Sequence, residues 1–298
     1  MGYVELRNGQ VALRFQKTKS AEFTMPASGD WMSVTYGNGK YVAVAENDSA
    51  GAYSTDGINW TAMNMPADRD WASVTYGNGK FVSVAYRSSY GAYSTDGINW
   101  TEFTLPASSR WKSVTYGNDK FVAVSSNSNK GAYSADGITW AEMSLPSSIY
   151  GLKSVTYGDG KFVAVVDSSG KGAYSTDGIN WTAMNMPDLT SNWRSVTYGD
   201  GKFVSVAYNS SAGAYSTDGI TWTKMPMPSG SGWQSVTYGD GKFVAVANNS
   251  SSGAYSMDGI TWTEFALPAS RRWQSVTYGD GKYVAVAYTG NKGAYFEL

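Results

Sequence analysis

Apolar and polar residues alternate along this chain in short stretches, and the same arrangement of stretches returns about every 40 residues. The constant core of each repeat reads W-x-S-V-T-Y-G-[ND]-[GD]-K-[FY]-V-[AS]-V. Alternation over four to eight residues is typical of β-strands. A period near 40 residues is typical of propeller blades, which are small sheets that bury their faces against one another. The repeats begin at Trp31, Trp71, Trp111, Leu152, Trp193, Trp233 and Trp273.

Each repeat predicts four strands, which we call A to D in chain order. In the second repeat they are expected at residues 73–76, 81–85, 91–94 and 100–105. The A–B connection contains Asn78 and Gly79, residue types that tolerate positive φ and therefore favour a tight turn. Strand B is apolar except for Ser83, as expected for a strand covered on both faces.

The two ends of the chain predict that the repeats close into a ring. The last repeat stops at Leu298 after three strands, whereas residues 21–26 match the D strand at residues 263–268. Pairing the two would complete the seventh blade and cover open strand edges. We therefore expect an all-β protein, a seven-bladed β-propeller of four-stranded antiparallel blades, over residues 21–298. Residues 1–20 predict a hairpin that is either a local cap or an attachment point.

The C–D turn carries the most specific motif, S-[TAM]-D-G-I-[NT]-W. It resembles the Asp-box (BNR) repeat of sialidase-like propellers, with one residue fewer between Asp and Gly. The resemblance implies a structural turn that lies away from any active site. The alternative is that the carboxylates bind a ligand. The aspartates concerned are Asp56, Asp96, Asp136, Asp177, Asp218 and Asp258.

Composition removes several classes of function. A net charge of −1 does not favour nucleic-acid binding, and no long apolar run or signal peptide predicts membrane insertion. The chain has no cysteine and no histidine, which excludes thiolate or imidazole metal sites and histidine-based catalysis. The arginines do not follow the pattern that sialidases use. We therefore expect no enzyme activity, no cofactor and no metal.

Variation between repeats is concentrated in the B–C and D–A loops, which project from one face of the ring because strand direction alternates. We call this the variable face. Arginine and tyrosine are common in recognition surfaces, although long polar side chains also occur wherever a loop meets solvent. The candidate ligand-binding residues are Arg69, Asp70, Tyr86, Arg87, Tyr90, Arg110, Tyr150, Arg194, Tyr208, Arg271, Arg272 and Tyr288. The tryptophans that open the repeats either pack between blades or stack on sugars.

These observations favour a multivalent binding protein that recognises a surface glycan or receptor, such as a lectin, an adhesin or a phage receptor-binding protein. A structural or protein-interaction scaffold with one protein partner is the alternative. Glycoside hydrolysis by two carboxylates is a third hypothesis. The location is left open, with a virion surface or an extracellular site preferred to the cytoplasm.

Overall fold

The computed structural model describes residues 2–7, 10–15, 19–46, 50–167, 169–187, 191–208, 211–228 and 232–298. Its regular structure consists of 28 β-strands. Three strands precede the first repeat: β1 (Gly2–Arg7), β2 (Gln10–Phe15) and β3 (Lys19–Thr24).

The seven repeats supply the remaining strands in chain order. The first three contain β4 (Asp30–Gly37), β5 (Lys40–Glu46), β6 (Ala50–Ser54), β7 (Thr61–Asn64), β8 (Trp71–Gly77), β9 (Lys80–Ser94), β10 (Thr101–Gly117), β11 (Lys120–Ser125), β12 (Lys130–Ser134) and β13 (Ala141–Ser144). The fourth and fifth contain β14 (Leu152–Gly158), β15 (Lys161–Val166), β16 (Lys171–Ser175), β17 (Thr182–Asn185), β18 (Asn192–Gly199), β19 (Lys202–Tyr208), β20 (Ala212–Ser216) and β21 (Thr223–Pro226). The last two contain β22 (Gly232–Gly239), β23 (Lys242–Asn248), β24 (Ser250–Ser256), β25 (Thr263–Arg271), β26 (Trp273–Gly279), β27 (Lys282–Ala287) and β28 (Lys292–Glu297).

The strands form an all-β propeller of antiparallel sheets, but the expectation of seven separate blades is wrong. The ring consists of six sheets, of which five have four strands and one has six. The second and third repeats share the six-stranded sheet because β9 and β10 continue through the positions where loops were expected. The pairs Ser109↔Ser88 and Arg110↔Tyr86 extend the ladder between these strands toward β11.

The N-terminal strand β3 is the outer strand of the sheet that the last repeat begins. It pairs antiparallel with β28 over six residue pairs, from Lys292↔Thr24 to Glu297↔Lys19. Phe23 is buried and stacks on Trp60 of the first repeat, with ring centroids 5.4 Å apart. The first and last repeats are therefore joined through a segment that precedes both. Strands β1 and β2 form a separate two-stranded sheet, and their role as a cap or an attachment point stays a prediction.

A closed circle of hydrogen bonds joins neighbouring A strands around the axis. The serine of each W-x-S motif accepts a hydrogen bond from the backbone N–H of the valine in the next repeat. The seven donor–acceptor distances are 3.1 to 3.2 Å, and the last bond runs from Val34 N–H to Ser275 Oγ. All seven repeat junctions, including the one that closes the ring, thus use the same contact.

A second circular contact lies at the other end of the A strands. The glycine that ends each T-Y-G segment packs against the tyrosine of the next repeat so closely that it has no room for a β-carbon. A Cβ on Gly158 would lie 2.0 Å from Cγ of Tyr198, and one on Gly279 would lie 2.1 Å from Cγ of Tyr36. The glycine is therefore a packing requirement at every junction.

The tryptophans that open the repeats are fully buried, so of the two alternatives, packing between blades and stacking on sugars, the first is correct. They pack in the cores between successive repeats and present no face to a sugar. Leu152 stands in this position in the fourth repeat, where Ile149 is fully buried in the same cluster. Ile149 belongs to the longer D–A loop of that repeat, so the additional loop residue helps to fill the space of the missing indole.

Each C–D turn is held together by its aspartate. In the second repeat, Asp96 Oδ1 accepts hydrogen bonds from the backbone N–H groups of Ile98 and Asn99, both at 2.8 Å, and from the Ser94 hydroxyl at 2.9 Å. The backbone hydrogen bond from Asn99 is the largest of the effects that lower the pKa of Asp96. The carboxylates are thus occupied within their own turns.

We expect the protein to lose stability steeply as the pH falls from about 4 toward 2. Burial alone would raise the pKa of the turn aspartates, yet backbone and side-chain hydrogen bonds outweigh it and lower the pKa of Asp56, Asp136 and Asp218 to about 2. A carboxyl whose pKa is depressed in the folded state stabilises the fold above its unfolded pKa. That contribution is lost as the pH falls through the folded pKa.

Urea unfolding midpoints measured between pH 5 and pH 2 test this expectation. The matched variant is Asp218→Asn, since the amide oxygen still accepts the N–H bonds but does not titrate in this range. As the pH falls, the unfolding midpoint of this variant should decrease less than that of the original chain. An equal decrease for the two proteins would contradict a stabilising role of the ionised Asp218.

Candidate functional site

The B–C and D–A loops lie side by side on the variable face, joined by backbone hydrogen bonds such as Tyr86 N–H to Asp70 O and Tyr288 N–H to Arg272 O. Residues 47–49, 168, 188–190, 209–210 and 229–231 of these loops lie outside the described residues. The A strands begin on this face, and their first residues surround a cavity of about 160 Å³ on the axis of the ring. We call this cavity the mouth.

Two adjacent residues from every repeat line the mouth. They are the x and the serine of W-x-S: Met32, Ser33, Ala72, Ser73, Lys112, Ser113, Lys153, Ser154, Arg194, Ser195, Gln234, Ser235, Gln274 and Ser275. Neighbouring residues of a regular strand point to opposite faces, so this arrangement needs a local irregularity. The register shifts between the Trp or Leu and the serine in all seven A strands, as in a β-bulge.

The x position differs from repeat to repeat and gives the mouth three chemically distinct sectors. The first two repeats supply Met32 and Ala72, the last two supply Gln234 and Gln274, and the three between supply the basic side chains Lys112, Lys153 and Arg194. The amide of Gln234 donates to Oε1 of Gln274 at 3.2 Å. We refer to Lys112, Lys153 and Arg194 as the basic cluster.

One acidic side chain lies against two members of the basic cluster. Asp167 Oδ2 is 3.2 Å from Nζ of Lys153 and 3.6 Å from Nη1 of Arg194. Nε of Arg194 is buried and has no hydrogen-bond partner among the described residues. Burial lowers the pKa of Lys112; Glu46 partly opposes this, and the like charges of Lys153 and Arg194 add to the lowering. The mouth therefore holds closely spaced positive charges.

Three further acidic side chains, Asp30, Glu46 and Asp70, belong to the first two repeats, and Glu46 is near Lys112. Glu46 pairs with Asp30 across the first two strands of the first repeat. Burial raises the pKa of Glu46; Lys112 lowers it in part, and the nearby charges of Asp70 and Asp30 raise it further. The first two repeats thus form an acidic side of the mouth, which adjoins the basic cluster at Lys112.

Several of the candidate residues from the sequence meet beside the mouth. The Tyr86 ring lies between cations, with Arg87 at 5.3 Å, Arg110 at 6.0 Å and Lys112 at 5.7 Å from its centroid. Such contacts hold a cation near an aromatic face and leave polar edges exposed. This group lies next to the long paired segment of β9 and β10.

Two further pairs of candidates lie elsewhere around the rim. The guanidinium of Arg194 is 5.0 Å from the Tyr208 centroid, and that of Arg272 is 4.3 Å from the Tyr288 centroid. The structure thus places arginine beside tyrosine at three sectors of the variable face. Asp70 contributes its charge to the acidic side described above.

The remaining candidates lie apart from the mouth or are occupied by other contacts. Nη2 of Arg69 lies 2.8 Å from Oε2 of Glu102, and its guanidinium covers Tyr90 at 4.0 Å. Arg271 forms an ion pair with Glu22 of β3. Tyr150 is 62% exposed, in the loop before β14. The role of all twelve candidate residues in binding stays a prediction.

Most residues of the mouth were not predicted from the sequence, among them Lys112, Lys153, Gln234 and Gln274. The signal was present, because x is the variable position inside an otherwise nearly constant W-x-S-V-T-Y segment. Among the described residues, no group of three or more acidic side chains is placed to hold a metal ion. No helix in the same part of the chain is long and apolar enough to cross a membrane.

Comparisons with known proteins show the fold. Virginiamycin B lyase from Staphylococcus aureus superposes with a TM-score of 0.85 at 15% identity, covering 95% of this chain and 100% of the lyase. YCF48 bound to D1 peptide superposes with a TM-score of 0.76 at 14% identity, covering 95% of this chain and 98% of YCF48. YCF48 from Cyanidioschyzon merolae gives a TM-score of 0.71 at 14% identity, covering 93% of this chain and 98% of that protein. No family model and no curated protein matches the chain.

These findings correct three expectations from the sequence. The resemblance to Asp-box sialidase-like repeats is wrong as a family assignment, since the similar structures are the lyase and YCF48. The glycan-binding function is wrong as well, because nothing in the comparisons supports it and the tryptophans are buried. The expectation of no enzyme activity is contradicted as well, because the similar structures include an enzyme, virginiamycin B lyase, at 15% identity. A virion-surface or extracellular location also finds no support.

Proposed function

We propose that this chain is a protein-interaction propeller that binds a segment of a partner protein across the mouth. The observation that carries the proposal is the x position of the W-x-S motif. Seven nearly identical A strands present seven side chains to one cavity, and these side chains range from apolar through amide to basic. A constant frame with a varied ring of exposed side chains is a common arrangement for recognition.

The surroundings of the mouth suit a polypeptide. Arginine and tyrosine are enriched at protein interfaces, and the rim supplies them together at Tyr86, Tyr208 and Tyr288. The cavity is small and polar, which fits the capture of one or two side chains better than the burial of a large apolar ligand. Charge of both signs around the axis would fix the orientation of a bound segment.

Two similar structures support this use of the fold. YCF48 is a propeller with a D1 peptide bound, and another similar chain, with a TM-score of 0.74 at 9% identity, comes from the mitotic checkpoint complex. The similarity to the lyase is weaker support for a lyase activity of this chain. A catalytically inactive form of that enzyme has alanine in place of a histidine, and this chain contains no histidine.

Selection of a random peptide library on the immobilised chain tests the proposal. We expect peptides that bind the original chain and lose about tenfold in affinity with Tyr86→Ala or Tyr208→Ala. Tyrosine is enriched among the interface residues whose truncation costs most, and a cost of about 1.4 kcal/mol is a tenfold change. Lys80→Ala, in an A–B turn on the opposite face, is the control and should bind as the original chain does. Peptides whose affinity falls with Lys80→Ala, and does not change with either tyrosine variant, would show that recognition uses the opposite face.

A further inference from the structure

We infer that the basic cluster is a subsite for a carboxylate of the bound polypeptide. The inference deepens the proposed function and rests on it. Three successive repeats place a cation at the same position of the same strand, so Lys112, Lys153 and Arg194 are neighbours around one side of the mouth. Asp167 contacts Lys153 and Arg194, and Glu46 is near Lys112, so two carboxylates face three cations and one positive charge is left over.

The positive charge that Asp167 and Glu46 leave unbalanced is unfavourable in the partly buried mouth. Like charges repel strongly where water is partly excluded. Burial lowers the pKa of Lys112, Glu46 partly opposes this, and Lys153 and Arg194 add to the lowering. Nε of Arg194 is a buried donor with no acceptor among the described residues. An unpaired buried donor has a free-energy cost that an incoming acceptor removes. A carboxylate at this place would therefore relieve both unfavourable features.

The polar neutral side chains of the lining can also donate hydrogen bonds to an anion. Each of the seven serine hydroxyls accepts a backbone N–H from the next repeat and carries one hydrogen of its own. The amides of Gln234 and Gln274 follow Arg194 in the order of repeats. These groups accept as well as donate, so the preference for an anion comes from the charges of the basic cluster. The planar fork of an arginine beside lysine favours a carboxylate of a peptide that enters from the variable face.

The acidic sector of the mouth gives the bound segment a direction. Asp30, Glu46 and Asp70 belong to the first two repeats, whereas Lys153 and Arg194 belong to the fourth and fifth. An acidic group on the ligand is therefore repelled from the first two repeats and attracted to the fourth and fifth. The carboxylate comes either from a chain terminus or from an aspartate or glutamate side chain. Both sources share the same chemistry, and the experiment separates them.

Three pools of random octapeptides serve as probes. The first has a free C-terminal carboxylate and no acidic side chain, the second has a C-terminal amide and no acidic side chain, and the third has the amide and one aspartate or glutamate. We expect the first or the third pool to bind at least tenfold more tightly than the second. The first would identify the chain terminus as the source, and the third an acidic side chain.

The variant is the triple substitution Lys112→Gln, Lys153→Gln and Arg194→Gln. Glutamine already occupies the equivalent positions in two repeats, so the substitution keeps a side chain that this ring accommodates. The tenfold preference should disappear in the variant and persist in Lys80→Gln, which removes a positive charge from the opposite face. Equal binding of all pools, or a preference that the triple variant retains, would overturn the inference and leave the proposed function standing.

A titration with acetate tests the anion subsite separately from the proposed peptide-binding function. With lysines labelled by ¹³C reductive methylation, added acetate should shift the Lys112 methyl signal more than chloride at equal ionic strength. The signal is identified by its loss in Lys112→Gln. An acetate shift without binding of any pool would retain the anion subsite and refute the peptide-binding function. No shift and no binding would refute both.

Discussion

Replacing Gly158 with alanine should lower the free energy of unfolding by about 3 kcal/mol, the upper end of the usual range for overpacking. The new Cβ would lie 2.0 Å from Cγ, 2.4 Å from Cδ1 and 2.5 Å from Cβ of Tyr198. Rotation of the tyrosine ring cannot relieve this overlap, because Cβ is fixed by the backbone. The A strands of the fourth and fifth repeats would have to separate, although the bond between Ser154 Oγ and Val196 N–H joins them.

Gly29→Ala is the matched control for the same chemical change. A Cβ at Gly29 would meet its nearest atom, Cβ of Ala45, at 3.6 Å, which is an ordinary contact. We expect this variant to change stability by less than about 0.5 kcal/mol. Urea unfolding of both variants measures the difference. Similar midpoints for the two would show that the junction tolerates a larger residue than the packing implies.

Deleting residues 1–26 should convert the folded protein into an unstable, self-associating species. The deletion removes β3, exposes the β28 edge and uncovers the core around Phe23 and Met25, which are 5% and 2% exposed. Loss of a buried phenylalanine side chain alone typically costs about 3 to 5 kcal/mol. An unpaired edge with an apolar face is a template for pairing with another chain. Light scattering after size-exclusion chromatography and thermal unfolding measure both effects.

Deletion of residues 1–18 is the control, since it removes β1 and β2 but leaves β3, which begins at Lys19. It should keep the oligomeric state and the stability of the original chain. A synthetic peptide of residues 19–26 should raise the unfolding temperature of the longer deletion, because it can pair with β28 in the native register. A stable monomer without residues 1–26 and without the peptide would mean that β3 is dispensable for the ring.

Much of the fold could be predicted from the sequence because its information is local and repeated. The alternation of apolar and polar residues located the strands. The turn at Asn78 and Gly79 has the predicted positive φ values, 44° and 72°. The alternating direction of successive strands placed the two sets of variable loops on one face. The count of separate blades could not be predicted. It depends on the pairs Ser109↔Ser88 and Arg110↔Tyr86, which form between two loops that look like ordinary connections in the sequence.

The candidate site was predicted only at its rim. The arginines and tyrosines of the loops made Tyr86, Arg110 and Tyr208 candidates. Arg110 lies over the Tyr86 ring, and Arg194 of the mouth lies over the Tyr208 ring. Lys112 and Lys153 were missed because strict alternation assigns x and serine to opposite faces of strand A. A bulge in each strand brings both to the mouth, and a bulge depends on tertiary pairing that a single sequence does not reveal.

The circular contacts between repeats have a consequence for how such a protein can change over generations. Every junction contains a hydrogen bond from a backbone N–H to a serine hydroxyl and a contact of a glycine with a tyrosine, and none of these groups belongs to the x residue. The x residues of the sixth and seventh repeats add a hydrogen bond between Gln234 and Gln274. One repeat can therefore replace another without loss of the contacts that all junctions share. Recombination between copies would exchange one axial side chain for another while every junction kept the same partners, so new specificities would arise without a new fold having to be stabilised.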